Sequence, residues 1–511
     1  MVGNKRYLPM VVTKCLCLLN RTAAADIPHF SVHTQPAERP VLVNDEPQLF
    51  LDDYLIAHSS NLVKTTHTPE RALDYPILGW QQGISQPYVT VLRDPETKLF
   101  RMWYNRDAGQ IAYAESDDGI NWRTPELDIL GNDNRLLQIG RDFQNGCGAS
   151  VIDDGPASKD PNQRFKIAWW GQTKPWPGGD PGMRVAFSSD GIDWKLYTDN
   201  PVLPDFGEDH FLGDPRRPYG AGDIIDVFYD PYRNHYGAFV KTPAIASDGL
   251  ARGPKARTYI RRLVSASTSD DFQHWKRLWR VVVPESRDEG LLEFYSVGGT
   301  FARGGLLIGF VRMLRDDLPA TEGGPAEGIG YTTLITSRDG KHWERHDNVF
   351  FDRHPDPKAW DHAMTWVGSV LPVGDQLYLY YGGYKQGHKI ESRKERQIGL
   401  ARMPKDRFVS RDTVGNQQDV LRTVAIDPSV TVPRRLLLNA RCPGGEIRVQ
   451  VRAGNTGDVI AGYDWDVCRP VSGDGYNLLV TWNERDTLPD RRIQLEFKLK
   501  QAELFAFQVT H

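Results

Sequence analysis

Three carboxylates stand out as residues that could carry acid–base chemistry. Glu293 lies between Leu292 and Phe294, and apolar neighbours raise the pKa of a carboxyl so that it can hold a proton at neutral pH. Asp223 and Asp361 are the candidates for an ionised partner and for a third member of the set. A carboxylic acid and a carboxylate held together can donate and accept protons in the same reaction.

Register places two of these carboxylates in equivalent positions. Asp223 and Glu293 each stand 13 residues before the start of an apolar strand, at Tyr236 and at Leu306. Asp361 stands 16 residues before Leu377, which is a looser match. All three therefore fall near the start of a predicted inner strand, where side chains from several repeating units would converge.

The elements that must position these residues form a repeat. Five aromatic-rich strand candidates begin about 70 residues apart, a period typical of large repeated β units. They are Phe100–Asn105, Phe165–Trp170, Tyr236–Lys241, Leu306–Val311 and Leu377–Gly382. Units of four strands arranged radially make a β-propeller, so the repeat predicts a five-bladed β-propeller. The counterparts of the carboxylates in the first two units are polar but uncharged, namely Gln86 and Asn145.

A turn recurs after the strands of the first four units. Its copies begin at Ser116, Ser188, Ser269 and Ser337, and three of them read Ser-x-Asp-Gly-x-x-Trp. Asp can accept backbone N–H groups and Gly supplies a positive φ, while Trp is expected to pack between neighbouring sheets. Phe272 replaces the Gly in the third copy, and this predicts a different turn there.

The fifth unit has no such turn, and its outer strand is therefore missing. Residues 48–56 and 61–67 look like strands but belong to no complete unit. We expect one of these two segments to complete blade five and close the ring, since closure removes exposed sheet edges.

A second domain is predicted after the propeller. Short alternating segments separated by turns such as Gly444-Gly445 favour a β-sandwich. The predicted division is an N-terminal segment at 1–45, the propeller at 46–415 and an accessory sandwich at 416–511. Cys442 and Cys468 both fall in the last part, where a disulfide between them is one alternative.

Composition narrows the classes of function. The 511 residues have a formal charge of −4, with 62 Lys and Arg against 66 Asp and Glu, and no basic block marks a nucleic-acid partner. The sequence has no phosphate loop and no zinc motif, so we expect no cofactor and no dedicated metal site. The many Asp residues leave a calcium ion in the channel as an alternative.

The first 25 residues resemble an export signal. Basic Lys5 and Arg6 precede apolar stretches and a run of alanines, although Lys14 interrupts the apolar part. This pattern predicts a secreted or periplasmic protein, with a cytoplasmic location as the alternative. No other run is long enough to span a bilayer.

The segments LFLDDYLIA, SDDFQHW and EFYSVGGTF, together with the predicted architecture, resemble a known group of enzymes. The chain looks like the five-bladed propeller glycoside hydrolases of the invertase, arabinanase and levansucrase group, and like less characterised bacterial glycosyl hydrolase-like proteins. The Trp-Met-Asn-Asp-Pro run of invertases is absent. The resemblance implies a carbohydrate substrate and a funnel with carboxylates from different blades.

The resemblance also implies roles for individual residues. Glycoside cleavage needs one acid to protonate the leaving oxygen and one carboxylate to activate water or attack carbon. On this basis Glu293 is the expected general acid, Asp223 the base or nucleophile, with Asp226 as its fallback, and Asp361 the third carboxylate. The expected substrate-binding residues are Tyr295, His362, Trp366, Arg262, Arg312, Asn145 and Gln86.

Other interpretations remain open at this stage. Glu293 could be a rim residue, the two Asp side chains could cap turns, and aromatic residues in a Trp-rich propeller could simply pack. Asp52 and Asp53 could supply a catalytic base instead. A non-catalytic carbohydrate- or protein-binding propeller and a sugar phosphorylase are therefore the alternatives to a glycoside hydrolase, because fold alone does not decide function.

Overall fold

The computed structural model describes the greater part of the chain. The described residues are 40–106, 109–140, 146–173, 180–205, 220–243, 261–390, 395–428 and 433–511. Within these ranges the helices are two 3₁₀ turns, Trp80–Gln82 and Pro161–Gln163, and none is long and apolar enough to cross a membrane. The predicted export segment, residues 1–25, lies outside the described residues. The predicted all-β class is confirmed.

Five short strands precede the first blade. They are β1 (Val41–Val43), β2 (Gln48–Leu49), β3 (Ile56–Ser59), β4 (Val63–Thr66) and β5 (Glu70–Arg71).

The first three blades each contain an antiparallel sheet with the inner strand first. Blade 1 comprises β6 (Ile84–Arg93), β7 (Phe100–Arg106), β8 (Gln110–Ser116) and β9 (Arg135–Gln138). Blade 2 comprises β10 (Gly146–Asp153), β11 (Phe165–Gly171), β12 (Gly182–Ser188) and two short outer strands, β13 (Lys195–Leu196) and β14 (Leu203–Pro204). Blade 3 comprises β15 (Ile225–Asp230), β16 (His235–Pro243), β17 (Arg262–Ser269) and β18 (Trp279–Val282).

The last two blades follow the same order. Blade 4 comprises β19 (Leu292–Arg303), β20 (Leu306–Arg315), β21 (Ile329–Ser337) and β22 (Glu344–Phe351). Blade 5 comprises β23 (Met364–Val373), β24 (Gln376–Tyr384) and β25 (Arg396–Pro404), with β5 as its outer strand. The inner strands β6, β10, β15, β19 and β23 contact one another in this order, and β23 contacts β6 again. The five predicted blades therefore close into a ring.

The repeated turn has the expected hydrogen bonds. In blade 1 the Asp118 carboxylate accepts the backbone N–H groups of Ile120 and Asn121, both at 2.8 Å. Gly119 has φ +75° and carries the positive φ that the turn requires. The turn of blade 2 docks on blade 1, where the Trp103 indole donates to the Gly191 carbonyl at 2.8 Å. These turns hold adjacent blades together.

The expectation of a different turn at Phe272 is wrong. Phe272 takes φ +67°, close to the glycine value, and Asp271 accepts the N–H groups of Gln273 and His274 at 2.9 and 2.8 Å. The phenyl ring is fully buried and packs edge-on against Tyr236 with ring centres 5.3 Å apart. Burial of the ring between two blades offsets the cost of a left-handed backbone at a residue with a Cβ.

The predicted source of the closing strand is also wrong. β5 pairs with β25 through Arg71 and Ala401, so blade five is completed by residues 70–71 rather than by 48–56 or 61–67. The strands β2, β3 and β4 instead join the C-terminal sheet. The chain after β5 continues along the same edge, where Leu78 forms an antiparallel bridge with Ile398. The earlier segment is held elsewhere, since Phe50, Leu55 and Ile56 are buried in the core of the C-terminal sheet.

The C-terminal part is a curled sheet that folds on itself as a sandwich. Its strands are β26 (Val409–Asp412), β27 (Gln418–Thr423), β28 (Ile426–Pro428), β29 (Arg435–Ala453), β30 (Val471–Leu479), β31 (Ile493–Lys500) and β32 (Glu503–Thr510). The long strand β29 bends, pairing with β32 along its first half and with β31 along its second half. Leu438, Val449, Phe497 and Phe507 fill the space between the two layers.

The stretch between β2 and β3 is fastened to both parts of the molecule. Asp52 is buried and binds the Arg338 guanidinium through two hydrogen bonds of 2.7 and 2.8 Å, at the turn of blade 4. Asp53 pairs with Arg411 of β26 at 2.6 Å. Both carboxylates therefore join elements of the fold, which is the position of structural rather than catalytic residues. Cys442 and Cys468 are free thiols. How the chain divides into folding units remains a prediction.

Candidate active site

The five inner strands converge on a buried apolar cluster at the propeller axis. We call it the axial cluster, and its members are Tyr88, Cys147, Ile224, Tyr295, Leu314, Ala363, Met364, Trp366 and Tyr384. Every blade contributes at least one side chain to it. The side chains that contact this cluster therefore come together although they are far apart in sequence.

Glu293 is the second residue of β19 and lies beside the axial cluster. Its side chain is 3% exposed, and Arg262 of the adjacent blade forms an ion pair with its carboxylate. Burial raises the pKa of Glu293, and the nearby Asp316 adds to this, whereas Arg262 and Lys241 oppose it. The net direction is upward, as the apolar flanks predict, so the side chain is suited to hold a proton.

Asp223 lies just before β15 and is far more accessible. Its side chain is 47% exposed and forms an ion pair with Lys241 of β16. The Asp223 carboxylate therefore has both solvent access and a cationic partner. The two carboxylates predicted from register therefore have opposite environments, one apolar and one solvated.

Tyr295 links the two ion pairs. The Lys241 ammonium lies 4.7 Å and the Arg262 guanidinium carbon 5.2 Å from the centre of its ring. Each of these cations holds one of the two carboxylates, so Asp223 and Glu293 lie around the same aromatic ring. The structure thus brings together the two carboxylates whose register is equivalent.

Asp361 does not join this pair. It is 1% exposed and accepts hydrogen bonds from Arg71 at 2.6 Å and from the Tyr381 hydroxyl at 2.9 Å. Arg71 belongs to β5, so this interaction fastens the closing strand of blade five. The prediction of Asp361 as a third funnel carboxylate has no support in this geometry, because its carboxylate is engaged by the outer and second strands of blade five.

Arg312 and Asp226 form a separate pair on the axis. The Arg312 guanidinium is 2% exposed, binds both carboxylate oxygens of Asp226 at 2.8 Å and donates to the Val367 carbonyl at 3.2 Å. Its carbon also lies 5.3 Å from the centre of the Tyr88 ring. Arg312 therefore ties four blades together, and its engaged nitrogens disfavour the predicted role of binding substrate. Asp226 is not an accessible alternative to Asp223 for the same reason.

Trp366 and Tyr295, which were predicted to contact the substrate, pack against each other inside the protein. Trp366 is buried, donates its indole N–H to the Met313 carbonyl at 2.8 Å and packs against Tyr295 with ring centres 4.7 Å apart. Tyr295 is itself buried under two cations. Their faces are occupied by protein groups, so they position the charged residues and do not present a free face for a sugar.

The remaining predicted contacts differ in position. The buried His362 donates its Nδ1 proton to the His354 carbonyl at 2.8 Å and makes its described contacts in that loop. Gln86 lies half-buried at a bulge of β6, two residues from Tyr88 in the axial cluster. Asn145 lies outside the described residues. Of the predicted binding residues in the described ranges, Arg262 and Gln86 are the two that are partly exposed.

Several charged residues of the site were missed by the sequence analysis. Asp316 directly follows β20, lies near Glu293 and pairs with Lys389 at 3.2 Å. Arg396 begins β25 and lies over the Tyr384 ring, 5.3 Å from its centre. The sequence could have indicated Asp316, because it follows the second strand of the blade that carries Glu293. Lys241 and Arg396 had no such signal, because they lie on β16 and β25, whose spacing from the inner strands carries none.

His388 is buried among basic side chains. Its ring lies 5.0 Å from Tyr295 and 5.8 Å from Trp366, centre to centre. Burial lowers the pKa of His388 well below its ordinary value, and Arg262, Arg396, Lys241 and Lys389 lower it further. The imidazole is therefore neutral at physiological pH, and the arginines and lysines supply the positive charge of the site.

A metal-ligating group exists elsewhere in the described chain. His67, Asp412 and Glu503 place one ligand atom each within 4.8 Å of one another, in the C-terminal sheet. Arg441 binds both oxygens of Glu503, at 2.9 and 2.7 Å, and Ser410 contacts His67 Nε2 at 2.7 Å. These partners already satisfy two of the three side chains. Within the described ranges no comparable group lies in the channel.

Comparison with known proteins gives similarity of structure alone. No protein-family model matches the sequence, and no curated protein is similar to it. Glycoside hydrolases of the propeller families 43 and 32 are among the similar solved structures, as the resemblance predicts.

Three of these structures show the level of similarity. A thermostable family-43 glycoside hydrolase is 10% identical, with 69% of this chain and 98% of that chain covered and a TM-score of 0.43. A Bombyx mori GH32 beta-fructofuranosidase is 12% identical, with 85% and 94% covered and a TM-score of 0.39. An N-acetylgalactosamine deacetylase from F. plautii is 16% identical, with 68% and 97% covered and a TM-score of 0.42. Similarity at this level transfers no residue role.

Proposed function

We propose that this protein is a glycoside hydrolase in which Glu293 is the general acid and Asp223 is the base or nucleophile. The observation that carries the proposal is the pairing of two unlike carboxylates around Tyr295. Glu293 is buried and its pKa is raised, whereas Asp223 is half exposed and paired with Lys241. Cleavage of a glycosidic bond requires one carboxyl that gives up a proton and one that is ionised.

The roles of Glu293 and Asp223 follow from these environments. The Glu293 proton goes to the glycosidic oxygen as the bond to the anomeric carbon breaks, so the leaving group departs as a neutral alcohol. Asp223 then either removes a proton from the attacking water or attacks the anomeric carbon itself. Lys241 and Arg262 position the two carboxylates through their contacts with Tyr295. The substrate is a carbohydrate, and its sugar and linkage are left open by this proposal.

The test compares two leaving groups in the same glycoside. Glu293→Gln keeps the size and polarity of the side chain but removes the acidic proton. General acid catalysis contributes roughly 10²–10⁴-fold, so turnover of a natural glycoside should fall by about that factor. A glycoside with a nitrophenolate leaving group needs no protonation and should lose much less. Asp223→Asn should slow both substrates, because attack is needed whatever leaves.

Two outcomes would contradict the proposal. If Glu293→Gln slowed both substrates equally, Glu293 would not be the proton donor. If neither wild type nor variants cleaved any member of a broad glycoside panel while still binding sugars, the non-catalytic binding propeller would replace the hydrolase.

A further inference from the structure

Arg396 is a cation at the axis without a charged partner in the described part of the chain. Its guanidinium lies over Tyr384, and one terminal nitrogen donates to the Ser85 carbonyl at 3.4 Å. Its Nε is buried and has no hydrogen-bond partner among the described residues. A buried N–H group without a partner is costly, and an oxygen atom of a ligand would satisfy it.

Tyr384 supplies a second unpartnered donor beside it. The residue is 2% exposed, and its hydroxyl has no hydrogen-bond partner among the described residues. The ring is nearly parallel to His388, at an angle of 7° with centres 6.4 Å apart. The Arg396 Nε–H and the Tyr384 hydroxyl, which both lack a described partner, are donors of the kind that bind an oxyanion.

The other charges of the site are already balanced. Asp223 neutralises Lys241, Glu293 neutralises Arg262, and Asp316 neutralises Lys389. Arg396 has no acidic partner among the described residues. The reactive state of the site has a protonated Glu293, and in that state Arg262 loses its counter-charge as well. The site therefore carries excess positive charge in the state in which it would protonate a leaving group.

We propose that the site binds an oxyanion next to the scissile bond, with Arg396 and Tyr384 as its receptor. The oxyanion is a uronate carboxylate or a sulfate ester on the sugar, or inorganic phosphate bound beside it. This inference rests on the proposed glycosidase function and narrows its substrate class from carbohydrates in general to carbohydrates recognised together with an anion. Arginine suits this role because its planar fork of N–H groups binds two oxygens of a carboxylate, sulfate or phosphate at once.

An anion in this position would also favour the acid role of Glu293. It would compete with the Glu293 carboxylate for Arg262, since both cations lie around the same aromatic cluster. A neighbouring negative charge disfavours ionisation of a carboxyl. Binding of the anionic substrate would thus help to keep the Glu293 proton in place until the leaving oxygen takes it.

The test measures binding separately from turnover. The full-length Glu293→Gln protein is titrated calorimetrically with glucuronate, galacturonate, glucose, galactose, galactose 6-sulfate and inorganic phosphate. At least one anion should bind about tenfold or more tightly than the neutral sugars. Arg396→Gln should remove most of this preference, Arg396→Lys should retain part of it, and Tyr384→Phe should weaken it. The anion whose binding depends on Arg396 and Tyr384 shows whether the site recognises a uronate, a sulfate ester or phosphate.

Arg402 provides a matched control on the same strand. Its guanidinium lies 4.5 Å from the centre of the Tyr378 ring, and its Nε is also buried and unpartnered among the described residues. Arg402→Gln therefore removes the same charge from β25 at a position outside the axial cluster, and the preference for anions should persist. If Arg402→Gln removed it as strongly as Arg396→Gln, a general charge effect would replace the specific site.

The outcomes separate this inference from the proposed function. Equal binding of anionic and neutral sugars, or a preference that survives Arg396→Gln, would overturn the anion site even if neutral glycosides are cleaved. Binding of an anion that depends on Arg396 together with no cleavage of any glycoside would uphold the site and overturn the hydrolase. Two results together would support both proposals. The enzyme would cleave a uronide, and Arg396→Gln would lower kcat/KM for the uronide but not for the matching neutral glycoside.

Discussion

Arg262 of blade three forms an ion pair with the buried carboxylate of Glu293 in blade four. The two residues meet because β17 begins where β19 begins, on the same side of the ring. Burial raises the pKa of Glu293, and the guanidinium acts in the opposite direction. The protonation state of the proposed acid is therefore set by a balance that substitutions can shift.

Replacement of Arg262 by Met should move the alkaline limb of the pH–rate profile to higher pH. A general acid works in its protonated form, so the rate falls as the pH rises through its pKa. The Arg262 cation favours ionised Glu293, and its removal must raise that pKa. The position of the limb in kcat/KM is the measurement, since the absolute rate also reflects lost contacts.

Arg262→Lys is the conservative control for this prediction. It keeps the positive charge beside Glu293, so the alkaline limb should stay close to that of the wild type. An unchanged limb in Arg262→Met would show that the profile reports a group other than Glu293.

Asp361→Ala should destabilise the protein and leave activity per folded molecule unchanged. The substitution leaves the Arg71 guanidinium and the Tyr381 hydroxyl without their carboxylate partner. Loss of one partner from a buried ion pair costs about 3 kcal/mol or more. Denaturant unfolding measures the loss, and turnover is normalised to the folded fraction.

Arg71→Met should have a similar effect, and the double variant should be less destabilised than the sum of the two single variants. Such non-additivity is expected for residues that share one interaction. If Asp361→Ala were fully stable but inactive, the original prediction of a catalytic Asp361 would hold.

The blades could be predicted from the sequence because the repeat is local. Strands and turns recur at a fixed period, and the turn depends on residues within one hairpin, such as Asp118 and Gly119. The closing strand could not be identified because β5 has two residues and no apolar pattern. The turn at Phe272 was misjudged because the packing that compensates for its backbone conformation comes from residues distant in sequence, Phe187 of blade two and Tyr236 of β16.

The site could be predicted in part for a related reason. Register within the repeat predicts that Asp223 and Glu293 lie near each other, and in the structure the cations that hold them both lie around Tyr295. Asp361 departs from that register by three residues and turns elsewhere. Lys241, Asp316 and Arg396 reach the site from second and third strands, and spacing along the chain carries no signal for those contacts.

Phe272→Gly should destabilise the protein even though it relieves an unfavourable backbone conformation. The left-handed φ costs roughly 1–2 kcal/mol for a residue with a Cβ, and deletion of a buried phenyl ring costs about 3–5 kcal/mol. The ring of Phe272 contacts Phe187, Tyr236 and Trp275, so the loss of packing dominates. We expect a net decrease of about 1–4 kcal/mol in the free energy of unfolding.

The equivalent turn of blade two allows the reverse substitution, in which a glycine is replaced by a residue with a Cβ. Gly191→Ala adds a Cβ 2.9 Å from the Trp103 ring at a residue with φ +76°, so it too should destabilise, by roughly 1–3 kcal/mol. Both variants should keep their activity per folded molecule. A stabilised Phe272→Gly would mean that strain outweighs packing at this turn.

Asp316→Asn should shift the alkaline limb of the pH–rate profile to lower pH, opposite to Arg262→Met. The Asp316 charge disfavours ionisation of Glu293 and so helps to raise its pKa. Its removal also frees the Lys389 ammonium, which lies 3.2 Å from Asp316 and adds a positive charge near the site. Both changes lower the pKa of Glu293, so the acid loses its proton at a lower pH. Asp317→Asn is the matched control, because that carboxylate is one residue away and is held by Arg315 at 2.9 and 3.0 Å. A shift in the control equal to that in Asp316→Asn would assign the effect to the loop rather than to the Asp316 charge.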